Sequence, residues 1–134
     1  MKKINEQSAG QYLADHYGEI KEEINHLSSH RNIAGIFQAI VNHSNYLLAN
    51  GQIEKIGIRL KYIGWLYKRG NEQVCNLIEN LFVRSFRGMK RRCTSEQWIY
   101  MYQHIPKNLK QIYLLQNTNS LATQNLFIWQ HYLW

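Results

Sequence analysis

Proline is nearly absent from this chain, with Pro106 alone among 134 residues, and the eight glycines are scattered rather than clustered. No Ser/Pro/Gly-rich stretch divides the sequence, which excludes a flexible linker or low-complexity tail and leaves one domain over residues 1–134 as the expectation. That length buries a proper core without metal or disulfide staples. No run of about 18 apolar residues occurs, which excludes a transmembrane helix. Lys2-Lys3 is followed by Asn5, Glu6, Gln7 and Asp15 rather than an apolar signal core, so a cytoplasmic location is expected. The two cysteines, Cys75 and Cys93, belong to no CxxC or zinc-spaced cluster and read as reduced thiols. The phosphate-cradling patterns GxGxxG and GxxxxGKS/T are missing, as is HExxH.

Charge is missing locally. From Gln111 to Trp134 there is no Asp, Glu, Lys or Arg, whereas Lys55–Lys110 carries twelve Lys/Arg against three Asp/Glu and Met1–Glu54 four against six. The net charge of +7 is therefore concentrated in the middle. Such a segment attracts phosphates, acidic protein surfaces or anionic lipid heads by the same Coulombic attraction, so charge alone does not select a partner.

Helical spacing dominates what is there. Val74, Leu77, Ile78, Leu81, Phe82, Ser85, Phe86 and Met89 recur at three- and four-residue intervals and predict one helix over Asn71–Met89, with Leu77, Leu81, Phe82 and Phe86 at the centre of the core. Upstream, Ala9, Leu13, Tyr17, Ile20, Ile24 and Leu27 predict a helical stretch from Asn5 to about Ser28, with a bend near Gly18. Ile33 to Leu48 predicts a second helix, closed by Asn50-Gly51. Gln52–Lys68 predicts a third, stopped by Gly70, in which Gly57 and Gly64 share a face and would admit a close neighbour or simply be tolerated. Thr94 and Gln97 form a capping-box pattern ahead of Trp98, Met101, Tyr102 and Ile105. Pro106 ends that helix and opens a short one through Leu109, Ile112 and Tyr113. Leu121–Trp134 reads as a last helix, although Leu126-Phe-Ile-Trp129 also suits a strand. The expected fold is all-α, a compact bundle or short array of six to seven helices.

Few residues suggest chemistry. Glu23 and His26 form one Glu-x-x-His pair beside Asp15, Glu19 and Glu22, but a di-iron bundle needs a second such pair, so the reading is a solvated acidic face with no metal and no cofactor. His26 and His30 share a helix face without further ligands, and His43, His104 and His131 lack a nucleophile pattern, so no catalytic residue is assigned. The strongest feature is Arg84, Arg87, Lys90, Arg91 and Arg92, on the polar side and at the end of the central helix. One or two of these charges offset the helix dipole; five exceed what it needs. Tyr62, Trp65, Tyr100 and Tyr102 are aromatics that would stack on bases if the partner were a nucleic acid.

Gly70-Asn71 opening a helix, Phe82 and Phe86 within it, then Trp98, Ile105-Pro106, Leu109 and Tyr113 resemble the C-terminal half of small uncharacterised bacterial helical proteins, some of them in toxin-immunity settings. The resemblance covers about half the chain, rests on core and capping residues, and carries over no functional residue. It implies a helical fold and an immunity-like setting. The functional expectation is a non-catalytic protein-binding module meeting an acidic partner through Arg84, Arg87, Lys90, Arg91 and Arg92. The alternative is a nucleic-acid binder using the same residues; an enzyme whose site is assembled only by the fold is the third class. The apolar end must be covered, and Phe127 and Trp134 fall off the stripe of Leu126, Trp129 and Leu133, so a homodimer with Phe127 and Trp134 at its contact is expected.

Overall fold

Residues 3–118 are described by the structure, a computed structural model. Over these residues the fold is all-α: α1 (Glu6–His16), α2 (Lys21–Ser29), α3 (Ile33–Ala49), α4 (Ile53–Arg69), α5 (Glu72–Leu77), α6 (Phe86–Arg92), α7 (Ser95–His104) and a helical run, α8, over 107–118. The segment Leu121–Trp134, with Phe127 and Trp134, lies outside the described residues.

The central helix is continuous from Glu72 to Arg92 but not uniform. Between α5 and α6 a π turn (Ile78–Phe82) is followed by a tighter 3₁₀ turn (Val83–Ser85), all in right-handed helical conformation at their joins. Its buried residues explain this. Val74, Ile78, Phe82 and Phe86 follow one another at intervals of four, and each such interval overshoots a regular α-turn by about 40°. A wider π turn absorbs part of that drift, so Ile78, Phe82 and Phe86 all reach the core, at 0 to 1% exposure. Leu77 and Leu81 sit one position off this stripe and are half-buried at the edge of the core, not at its centre as the periodicity predicts.

Side chains from all eight helices join one hydrophobic cluster. The expected bend near Gly18 is a 3₁₀ turn over Gly18–Ile20 that separates α1 from α2. Gly51 closes the α3–α4 hairpin at φ +72°, the left-handed region open to glycine. A close neighbour does lie over Gly57 and Gly64. A Cβ at Gly57 would come within 3.0 Å of Tyr100, and one at Gly64 within 2.7 Å of the Pro106 ring. Asn108 fixes the second approach by donating from Nδ2 to the Gly64 carbonyl at 3.0 Å. The capping box at α7 forms as predicted, Thr94 N donating to Gln97 Oε1 at 2.9 Å and Gln97 N to Thr94 Oγ1 at 3.1 Å. The start of the chain is tied to the α4–α5 joint: Ile4 N donates to Arg69 O at 2.9 Å and Asn71 N to Ile4 O at 2.8 Å.

Candidate binding groove

The last turns of the central helix and α8 run side by side, and the cationic side chains line the space between them. Tyr113 anchors α8 there. It is 8% exposed and its ring lies 6.1 Å from Phe86, 5.8 Å from Trp98 and 6.4 Å from Tyr102, centroid to centroid. Gln116 secures the next turn by donating from Nε2 to the Glu79 carbonyl, inside the π turn, at 3.0 Å. The π turn thus supplies the backbone acceptor that ties α8 to the central helix.

Two adjoining concavities result. One of about 190 Å³ lies among Val83, Arg84, Arg87, Tyr113, Gln116 and Asn117, and one of about 590 Å³ among Arg87, Lys90, Arg91, Tyr113 and Asn117. Four of the five cations singled out from sequence therefore line one groove; Arg92 is exposed but lines neither concavity. Among the described residues no carboxylate lines either space. Lys90 also covers the Trp98 ring at 5.7 Å, a cation–π contact that holds its stem to the surface. Burial pushes the Tyr113 hydroxyl pKa up from its ordinary value despite the opposing pull of nearby Arg87, so this phenol stays neutral at physiological pH.

The aromatics expected to accompany these charges lie elsewhere. Trp65 stacks on Tyr12 at 4.6 Å, beneath Arg69 at 4.7 Å, while Tyr62 packs against His16 at 4.2 Å. Tyr100 stacks on His104 at 4.2 Å beside Gly57, and Tyr102 lies under Lys110. None of the four lines the groove.

Glu19 has a role that its sequence neighbours do not suggest. It accepts a hydrogen bond from Arg59 Nη2 and lies 3.1 Å from His43 Nε2, joining the turn before α2 to α3 and α4. The Arg59 hydrogen bond is the main reason its carboxyl pKa falls to about 2, with His43 adding to it. Arg59 also lies over the Tyr17 ring at 5.1 Å, and burial drives that phenol far above its ordinary pKa. The cluster holds no nucleophile and reads as a clamp between helices. Among the described residues no three His, Cys, Asp or Glu side chains are grouped to hold a metal ion. His26 and His30 lie 4.7 Å apart, ring to ring and tilted, on an exposed helix face. Burial raises both thiols, and Cys75 donates to the Tyr67 carbonyl at 3.2 Å. A third concavity, about 420 Å³ between the starts of α1 and α3, mixes Glu6 with Arg31 and has no net electrostatic preference. No described helix is long and apolar enough to cross a membrane.

Comparison with curated proteins and with solved structures finds no match. A family model does match: a domain of unknown function, DUF7674, over residues 10–119, a span that includes every residue lining the groove. That match extends over most of the sequence, and the chain belongs to the DUF7674 family.

Proposed function

We propose that this domain is a non-catalytic protein-binding module whose groove between the central helix and α8 receives an acidic segment of a partner. The observation that carries the reading is the lining itself: Arg84, Arg87, Lys90 and Arg91 converge on one groove with no carboxylate among its described lining residues. Like charges kept this close repel one another, and a bound anion relieves that repulsion. A pocket with a paired acid and base, the mark of a catalytic site, is not what these residues form. The toxin-immunity resemblance supplies a setting in which such a module blocks its partner by occupancy alone. A cytoplasmic location and a homodimer through Phe127 and Trp134 belong to the same proposal. For the dimer, light scattering on the full chain and on a version ending at Ser120 should give a dimer and a monomer; a monomeric full chain at high micromolar concentration would refute it.

The groove is tested by fluorescence anisotropy with a labelled poly-Glu peptide at two salt concentrations. Wild type should bind and weaken with salt, and Arg84→Ala with Arg91→Ala should weaken binding by about tenfold or more. Unchanged affinity in the double variant would refute the site. Mixed-sequence RNA in the same assay separates the nucleic-acid reading, which predicts tight low-salt binding that falls steeply as counterions are released.

A further inference from the structure

The groove is rich in arginine rather than lysine, and it is short. Arg84, Arg87 and Arg91 span seven positions, about 10 Å of helix at 1.5 Å per residue. An extended acidic segment crossing that length places side chains on one face only about every 7 Å, so it brings at most two carboxylates along this wall. A phosphoryl group concentrates a charge of about −1.5 to −2 and three acceptor oxygens at one point. Guanidinium groups meet such an oxyanion with two parallel N–H donors, which an ammonium does not. The two concavities divide accordingly. They share Arg87, Tyr113 and Asn117; the smaller adds Arg84 and Gln116, and the larger adds Lys90 and Arg91. A nucleic acid duplex fits less well, since it presents a charge every ~1.7 Å along a track much longer than this groove. Tyr113, the aromatic among the described lining residues, is 8% exposed and packed against Phe86, Trp98 and Tyr102, so it offers no open face to an unpaired base.

Building on the groove as the binding site, we infer that its specific ligand is a phosphorylated serine or threonine in an extended acidic segment of the partner protein. The phosphoryl group sits between Arg84 and Arg87 in the smaller concavity, and the flanking residues run toward Lys90 and Arg91 in the larger.

The test uses three labelled peptides of alternating Glu and Ala that differ only at the centre: serine, phosphoserine or glutamate. The phosphoserine peptide should bind at least about tenfold tighter than the glutamate peptide. Arg84→Lys keeps the charge but removes the paired donors, so it should weaken both the phosphoserine and the glutamate peptide, the phosphoserine peptide more, and so narrow that preference. Arg84 is exposed, and thermal melting of each variant confirms that the fold is kept. Equal affinity for phosphoserine and glutamate, both weakened by Arg84→Ala, would overturn the phosphoryl inference and leave the acidic-partner reading standing. Binding indifferent to Arg84 and Arg91 would overturn both. Displacement of the peptide by micromolar inorganic phosphate would make this a site for free phosphate and also overturn the inference, as would tighter binding of a short RNA.

Discussion

Two glycine-to-alanine substitutions isolate the contact that seats the start of α8 on α4. A Cβ at Gly64 would stand 2.7 Å from Pro106 Cβ and Cγ, whereas one at Gly88 meets nothing within 4 Å. Ordinary carbon–carbon contact is about 3.5–4.0 Å, so Gly64→Ala intrudes by roughly 1 Å on a ring that has no rotamer to escape into. Overpacking of this kind costs about 1–3 kcal/mol. Both positions are helical, so both gain about 1 kcal/mol of alanine propensity, and that term cancels in the comparison. Gly88→Ala should therefore be more stable than Gly64→Ala by about 1–3 kcal/mol, and more stable than wild type. In urea, with a slope of about 2 kcal/mol per molar, a difference of that size separates the midpoints by roughly 0.5–1.5 M. A Gly64→Ala protein as stable as Gly88→Ala would show that α4 and the start of α8 are not in contact at this point.

Phe82 is 1% exposed and meets Phe86 edge to face at 5.3 Å, so Phe82→Ala should lose about 3–5 kcal/mol in a denaturant melt; a wild-type midpoint would place it outside the core. The Glu19 carboxyl pKa is lowered from 4.5 to about 2 in the folded chain, so its stabilisation is complete above pH 4.5 and disappears as pH falls through about 2. With its side chain 40% exposed that contribution is discounted to about 1 kcal/mol or less, and Glu19→Gln should flatten the stability profile across this window; an unchanged slope would remove the clamp. Burial raises the Cys75 and Cys93 thiols, so alkylation at pH 8 should be slower in the native protein than after denaturation, and equal rates would contradict the structure.

Periodicity and caps made most of the fold legible in the sequence. Thr94 with Gln97, Asn50-Gly51 and the single proline mark boundaries because each acts locally, through its own backbone or a partner three residues away. The π turn was hidden, although three successive steps of four among Val74, Ile78, Phe82 and Phe86 carried its signature. Gly57 and Gly64 announced a close approach without naming the neighbour, since Tyr100 and Pro106 arrive only through the tertiary fold. The clamp of Glu19, His43 and Arg59 spans 40 positions and has no local pattern. For the groove, the helical spacing of Arg84, Arg87 and Arg91 was readable, but Tyr113, Gln116 and Asn117, which form the opposite wall, carried no pattern that pointed to a site.

The central claim is that anion recognition resides between the central helix and α8. Amide chemical-shift mapping on the isotopically labelled full chain, titrated with the acidic phosphoserine peptide, tests it most directly. Saturable shifts concentrated at Arg84, Arg87, Lys90, Arg91, Tyr113 and Asn117 are predicted. Shifts confined instead to the Tyr12, Tyr62 and Trp65 face, or none at all at millimolar peptide, would contradict it.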